Sequence, residues 1–241
     1  MNPVAPSGLS GKAAIITGAG RGIGLAIAKR FASAGASVAL ASRSATQLRE
    51  AVRDIERAGG KAIALPADVS DAGAVACMVD AAFRDFGRID ILVNNAGVAP
   101  VASIAEMPPA DFDSLIATIV RGTHLCTSAV WPHLVSAGGG TIINISSMAS
   151  FDPFPGLAVY GAAKAFINAY TRGIAAEGAP NNIRAFAIAP GAVETEMLRG
   201  AFPDYPKEKS LAPDDIAALA AELPSPACRY TSGETIPIQK D

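Results

Sequence analysis

Tyr160 and Lys164 lie four residues apart in Tyr160-Gly161-Ala162-Ala163-Lys164, a spacing that sets a phenol and an ammonium on one face of a helix. A phenol of pKa ~10 is a poor base near neutrality, and a neighbouring cation lowers that value by favouring the phenolate. A shift of ~3 units would represent about 4 kcal/mol of differential interaction. Ser147 precedes Tyr160 by thirteen residues and ends the apolar run Ile143-Asn144-Ile145-Ser146-Ser147. The end of a strand in an open α/β sheet is where ligands bind. Taken alone, a Tyr–Lys pair is more often an accident of a helix surface, so its weight depends on what surrounds it.

The strongest local signal is Thr17-Gly18-Ala19-Gly20-Arg21-Gly22-Ile23-Gly24, between a short apolar run and a helical stretch. Glycine at 18, 22 and 24 permits a tight turn, backbone approach to a pyrophosphate and close packing of helix on strand. The helix that follows offers unpaired N–H groups and a partial positive charge to phosphates. Gly18, Gly20, Arg21, Gly22, Ile23 and Gly24 are therefore the expected dinucleotide contacts. A carboxylate at the end of the second strand would bind the two ribose hydroxyls of NAD and repel a 2′-phosphate. Ser42 stands there instead, followed by Arg43. With Arg21, Arg43 supplies two guanidinium groups suited to a phosphate dianion. The blander reading leaves both arginines as solvated surface groups. The expected cofactor is NADP.

These groups need a scaffold, and the hydrophobic pattern supplies one. Lys12–Thr17, Ser37–Ala41, Lys61–Leu65, Ile89–Val93, Thr141–Ile145, Ile183–Ile188 and Glu234–Ile238 read as strands. Most lack period-2 alternation, as expected of parallel strands buried on both faces. Between them Gly24–Ala34, Ala45–Ala58, Ala72–Phe86, Pro109–Val135 and Val159–Glu177 carry helical periodicity. This succession predicts right-handed crossovers and a Rossmann-type doubly wound α/β sheet in three layers. No linker divides residues 1–241, so one domain is expected. Phe202–Pro213, rich in Pro and charge, reads as a mobile loop.

Taken together, these motifs resemble the short-chain dehydrogenase/reductase family, including its 3-oxoacyl-acyl-carrier-protein reductase-like members, over essentially the whole chain. The resemblance rests on Thr17–Gly24, Asp68-Val69, Asn94-Asn95-Ala96-Gly97, Ser147, Tyr160 with Lys164, and Pro190-Gly191-Ala192-Val193-Glu194-Thr195. It implies that Tyr160 is the proton donor or acceptor and that Ser147 holds the substrate oxygen. It also implies that Lys164 binds the nicotinamide ribose and lowers the pKa of Tyr160. Asp68 and Val69 would border the adenine; Asn94, Asn95, Ala96 and Gly97 the central sheet and the cofactor. Pro190, Gly191, Val193 and Thr195 would line the nicotinamide side. The implied reaction is hydride transfer from NADPH to a carbonyl, giving a secondary alcohol. Ile119 stands where the family commonly has an Asn that supports a lysine-bound water. The loop from Thr195 to Ala212 looks shorter than in many relatives, and no glycine pair follows the last strand.

Composition limits the alternatives. Twenty basic against 22 acidic residues give a net charge of −2, so nothing draws the chain to nucleic acid or an anionic membrane. An apolar content of 50% excludes a disordered chain. Cys77, Cys126 and Cys228 are odd in number and widely spaced, which fits a reducing cytosol. His124 and His133 sit in no Cys/His cluster, so no metal site is expected. Met1–Pro6 lacks the pattern of a signal peptide, no stretch reaches the ~20 apolar residues of a membrane span, and the expected location is the cytoplasm. The substrate side is expected to draw on Ala149–Leu157 and Met197–Tyr205, where Phe151, Phe154, Leu157, Met197, Leu198, Phe202 and Tyr205 are apolar and favour a hydrophobic ketone or 3-oxoacyl group over a sugar. The blander reading is that several of these only pack the loops. Arg199, Lys207 and Lys209 offer a landing place for an acidic carrier protein, though a solvated surface is the simpler reading. Small residues along Pro109–Val135 and Val159–Glu177 permit close helix–helix packing, and the family resemblance implies that these helices pair in a homodimer or homotetramer. The competing functions are a non-catalytic NADP-binding sensor or scaffold and an NAD-dependent alcohol or sugar dehydrogenase.

Overall fold

The apolar runs form a seven-stranded parallel sheet in which every interior strand is covered on both faces, as their weak alternation requires. The computed structural model describes residues 9–240, so the reading of Met1–Pro6 lies outside the described residues. The strands are β1 (Ala13–Thr17), β2 (Ser37–Ser42), β3 (Lys61–Pro66), β4 (Ile91–Asn94), β5 (Gly140–Ile145), β6 (Ile183–Pro190) and β7 (Thr235–Ile238), in spatial order 3-2-1-4-5-6-7. The order reverses between β1 and β4, which opens a crevice at their carboxyl ends.

Helices α1 (Gly22–Ser33), α2 (Ala45–Arg57), α3 (Ala72–Phe86), α4 (Pro109–Leu115), α5 (Gly122–Ser136), α6 (Ala158–Gly178), α7 (Glu196–Ala201) and α8 (Pro213–Glu222) complete the described chain. One layer centres on α1, whose Ile27, Ala28 and Phe31 are buried with Ile216 and Ala220 of α8. The other packs Val75, Val79 and Ala82 of α3 with Val130 and Leu134 of α5. Fully burying a side chain such as Ile27 or Phe31 stabilises the fold by roughly 1.5–3 kcal/mol. Among the described residues no helix is long and apolar enough to cross a membrane.

Three expectations are corrected. The stretch expected as one helix from Pro109 to Val135 is interrupted by a π-helical segment at Ile116–Arg121, where the backbone bonds close one residue later than in an α-helix. Ile119 lies inside this segment, buried with Leu115, Ala163 and Ile167. Second, the segment after Thr195 holds α7 and α8, neither expected. Third, Phe202–Pro213 is tied down rather than free: Leu211 is buried, its N–H donates to Ala192 O at 2.8 Å, and it forms a bridge with Val193.

Candidate active site

The loop after β1 owes its shape to Asn95 at the end of β4. The Asn95 amide donates to Thr17 O at 2.9 Å and to Gly18 O at 3.2 Å, while the backbone N–H groups of Asn95 and Ala96 donate to Thr17 Oγ1. Gly18 takes φ +64°, which an L side chain rarely adopts. A Cβ on Gly24 would stand 2.5 Å from both Asn95 Nδ2 and Gly18 O, so only glycine fits there. Arg21 caps α1 with extended backbone and no side-chain bond to the helix, leaving the first-turn N–H groups without a side-chain cap.

Two polar chains fix the reacting groups relative to each other. Buried Asn94 donates to Asn144 Oδ1 at 2.9 Å and Thr127 Oγ1 at 3.2 Å; Asn144 Nδ2 donates to Thr171 Oγ1 at 2.9 Å. This chain ties β4 and β5 to α5 and α6. The second runs from Asn168 Nδ2 to Ser150 Oγ at 2.8 Å, and from Ser150 Oγ to Ser147 O at 2.6 Å. Ser146 Oγ lies 2.5 Å from Asn168 Oδ1. Together they hold α6, which carries Tyr160 and Lys164, against the strand end that carries Ser147. None of Asn144, Thr127, Thr171 or Asn168 was singled out from sequence, because their partners are 18 to 50 residues away and leave no local spacing.

Ser147, Tyr160 and Lys164 open on one cavity of about 600 Å³. Lys164 is 4% exposed, and its ammonium donates to Ile145 O at 2.6 Å and lies 5.6 Å from the Tyr160 ring centre. Burial pulls Lys164 down to about 8. Burial pushes the Tyr160 phenol up from its ordinary value, and the hydrogen bond with Ser147 partly opposes it. Any lowering of Tyr160 by Lys164 is thus smaller than the rise from desolvation of the phenol oxygen, the largest influence on it.

Ile119 Cγ1 and Lys164 Nζ lie 3.9 and 4.0 Å from where a Gly97 Cβ would be. Both therefore pack around Gly97, an apolar side chain standing where the family usually has an amide. The cavity wall includes Phe154, Leu157, Met197, Leu198, Phe202 and Tyr205, as expected from sequence. Phe151 is the exception: it is 57% exposed and does not line the cavity. Gly191, Val193, Thr195, Pro190 and Ile23 reach the wall as expected, with Asn95 and Gly97. Ala99, Gln239 and Lys240 join it without having been anticipated.

At the other end of the crevice, Ser42 Oγ is buried with no hydrogen-bond partner, and Gly20 packs close to it: a Cβ there would stand 3.1 Å away. Arg21 is ion-paired with Glu196 of α7, both well exposed. Asp68 is held below the usual carboxylate range, chiefly by the Ser70 backbone and hydroxyl and also by nearby Arg43. Val69 is buried against Gly122. An uncapped helix start, an orphaned hydroxyl and a buried ammonium along one crevice fit a dinucleotide.

Residues 12–206 match the family model described as short chain dehydrogenase. The chain belongs to the short-chain dehydrogenase family. Members are oxidoreductases that use a nicotinamide cofactor. The chain is 37% identical over 241 residues to 3beta-hydroxysteroid dehydrogenase 1 of Eggerthella lenta, covering 95% of this chain and 92% of that protein. It is 36% identical, at TM-score 0.89, to a 3-ketoacyl-(acyl-carrier-protein) reductase from Brucella melitensis solved with NADH, covering 96% and 98% of the two chains. A short chain dehydrogenase from Burkholderia cenocepacia solved with NADP is also 36% identical, with TM-score 0.88 and coverage of 95% and 97%.

Proposed function

We propose that this protein is an NADPH-dependent reductase that converts an apolar ketone or 3-oxoacyl group to a secondary alcohol. The observation that carries the reading is the opening of Ser147, Tyr160 and Lys164 on one largely apolar cavity at the carboxyl ends of the strands. A bound nicotinamide supplies the hydride. Ser147 and Tyr160 donate hydrogen bonds to the carbonyl oxygen, and Tyr160, kept protonated by its raised pKa, delivers the proton to the forming alkoxide. Lys164 binds the nicotinamide ribose, and as a cation it stabilises the negative charge that passes to the phenol oxygen. Asp68 and Val69 border the adenine, while Pro190, Gly191, Val193 and Thr195 line the nicotinamide side. Asn95 acts one step back, by shaping the glycine loop. Residues 195–212 form the substrate-side loop.

The NADP assignment is supported by Ser42, whose hydroxyl has no partner and carries no charge to repel a 2′-phosphate, and by exposed Arg43 and Arg21. Arg21 exchanges Glu196 for the phosphate at little cost, because an exposed ion pair is worth roughly 0–1 kcal/mol. The three cysteines are free, in keeping with a reducing cytoplasm. The protein is a homo-oligomer that pairs through α5 and α6. Ile119 favours a second reading, a cofactor-binding protein without turnover, because it cannot hold the water that an Asn would.

A panel of hydrophobic ketones and 3-oxoacyl thioesters, assayed with NADPH and NADH, decides between them. Turnover faster with NADPH is expected, and Ser42→Asp should shift the preference to NADH. Tight cofactor binding without turnover on any substrate would establish the second reading, and an unchanged preference in Ser42→Asp would remove the NADP assignment.

A further inference from the structure

We propose that Arg199 is the positioning residue of the substrate-side wall, setting which ketones the cavity accepts without touching them. The proposal rests on the function given above. Arg199 does not line the cavity, yet Met197, Leu198, Ala201, Phe202, Tyr205 and Lys209 around it do. Between α7 and the short 3₁₀ turn at Lys207–Lys209, residues 202–206 have no regular secondary structure to hold them.

One guanidinium supplies what the backbone there lacks. Arg199 Nη1 donates to Pro203 O at 3.0 Å and to Tyr205 O at 2.6 Å. Its Nε donates to Glu194 Oε1 at 2.7 Å, and Nη2 donates to the other oxygen of the same carboxylate. Such a two-point fork fixes the plane of the guanidinium, which a lysine ammonium cannot do. Ser210, 4% exposed, places its hydroxyl 2.7 Å from Lys207 O and 3.2 Å from Glu194 Oε2. Glu194 lies next to Thr195 and its N–H donates to Leu211 O, so the anchor belongs to the framework that ends β6. The chain of contacts runs from the sheet through Glu194 and Arg199 to the carbonyls of Pro203 and Tyr205. These carbonyls determine where Phe202 and Tyr205 stand against the substrate. Arg199, for which the sequence suggests a solvated surface group or a landing place for a carrier protein, is instead committed to Glu194 and to the carbonyls of Pro203 and Tyr205.

The test compares wild type with Arg199→Gln and Arg199→Lys. For each, kcat and KM are measured with NADPH for a fused-ring ketone and for cyclohexanone, the Kd of the fused-ring ketone is measured by calorimetry with NADP+ bound, and trypsin cleavage after Lys207 and Lys209 is followed. A displaced wall should raise KM and Kd for the fused-ring ketone on the order of ten-fold, with kcat and NADPH affinity within about two-fold. Cyclohexanone, which needs little of the wall, should be almost unaffected. Cleavage after Lys207 and Lys209 should quicken, and Arg199→Lys should fall between wild type and Arg199→Gln. Faster cleavage with unchanged KM and Kd for the large ketone would show a merely structural role and overturn the proposal. So would a parallel loss of NADPH affinity. If wild type turns over no ketone, the proposed function fails, and the shift in Kd alone then decides the role of Arg199. Should Arg199→Gln not fold, Glu194→Gln removes the charge of the anchor and carries the same expectations.

Discussion

Lys164 is the side chain on which the chemistry is most sensitive to pH. Burial brings its ammonium down to about 8, whereas burial keeps the Tyr160 proton in place well above neutrality. The reductive kcat/KM should therefore be flat near neutrality and fall as pH rises through about 8, when the cation is lost. The sign for stability is opposite. Between about 8 and its ordinary 10.5 the unfolded chain holds more of this proton, so the Lys164 contribution to stability increases with pH across that window. A pH–rate profile checks the first statement, and an alkaline limb that Lys164→Arg leaves in place would contradict it. Ile119 belongs to the same neighbourhood. Ile119→Asn should change turnover by less than the ~10²–10⁴-fold that proton transfer itself contributes, because proton resupply lies further out. If Ile119 is mainly core, the same variant will instead lower the melting temperature with little change in rate. Measuring both quantities separates these outcomes. At this scale the sequence was informative: Ser147, Tyr160 and Lys164 are brought to one cavity. The direction of the Tyr160 shift was not, because burial depends on how α6 packs rather than on residue spacing.

At the scale of elements, the site depends on the bonds that lock α6 to β5. Asn144→Leu would remove one partner each from Asn94 and Thr171, which keep Thr127 Oγ1 and Ile167 O, at about 0.5–1.5 kcal/mol for each lost hydrogen bond. For a chain of this size each kcal/mol lowers the melting temperature by roughly 2–4 °C. The variant should therefore melt measurably lower and lose turnover in the same step, since Ser147 and Tyr160 are no longer registered; a normal melting temperature would show that the network is dispensable. The strands could be read from the sequence because each is a short apolar run with little alternation. The π-helical segment at Ile116–Arg121 could not, because its apolar residues look the same in an α-helix. Helix α8 carried a readable start, Pro213 followed by Asp214 and Asp215 in the first turn, which the search for longer periodic stretches passed over.

For the molecule as a whole, the proposed self-association through α5 and α6 has a clear expectation. Phe166 of α6 is substantially exposed and stacks on Tyr170, and Tyr170 bonds to His124 of α5, so an aromatic face spans these two helices; Phe112 of α4 is exposed as well. Light scattering should give a dimer or tetramer at micromolar concentration, and Phe166→Glu should reduce it; a monomer throughout would exclude the assignment. The doubly wound order of the sheet was legible because alternating strands and helices admit few other arrangements. Assembly was not, because exposure of Phe112 and Phe166 is set by the folded surface. The central claim remains that Tyr160 gives the proton in the reduction of a carbonyl. Its most direct test is Tyr160→Phe, assayed for NADPH binding by fluorescence and for turnover on the best ketone of the panel. Removing one hydroxyl should leave NADPH affinity close to wild type and lower kcat by roughly 10²–10⁴-fold or more. Retention of most of the activity would contradict the mechanism.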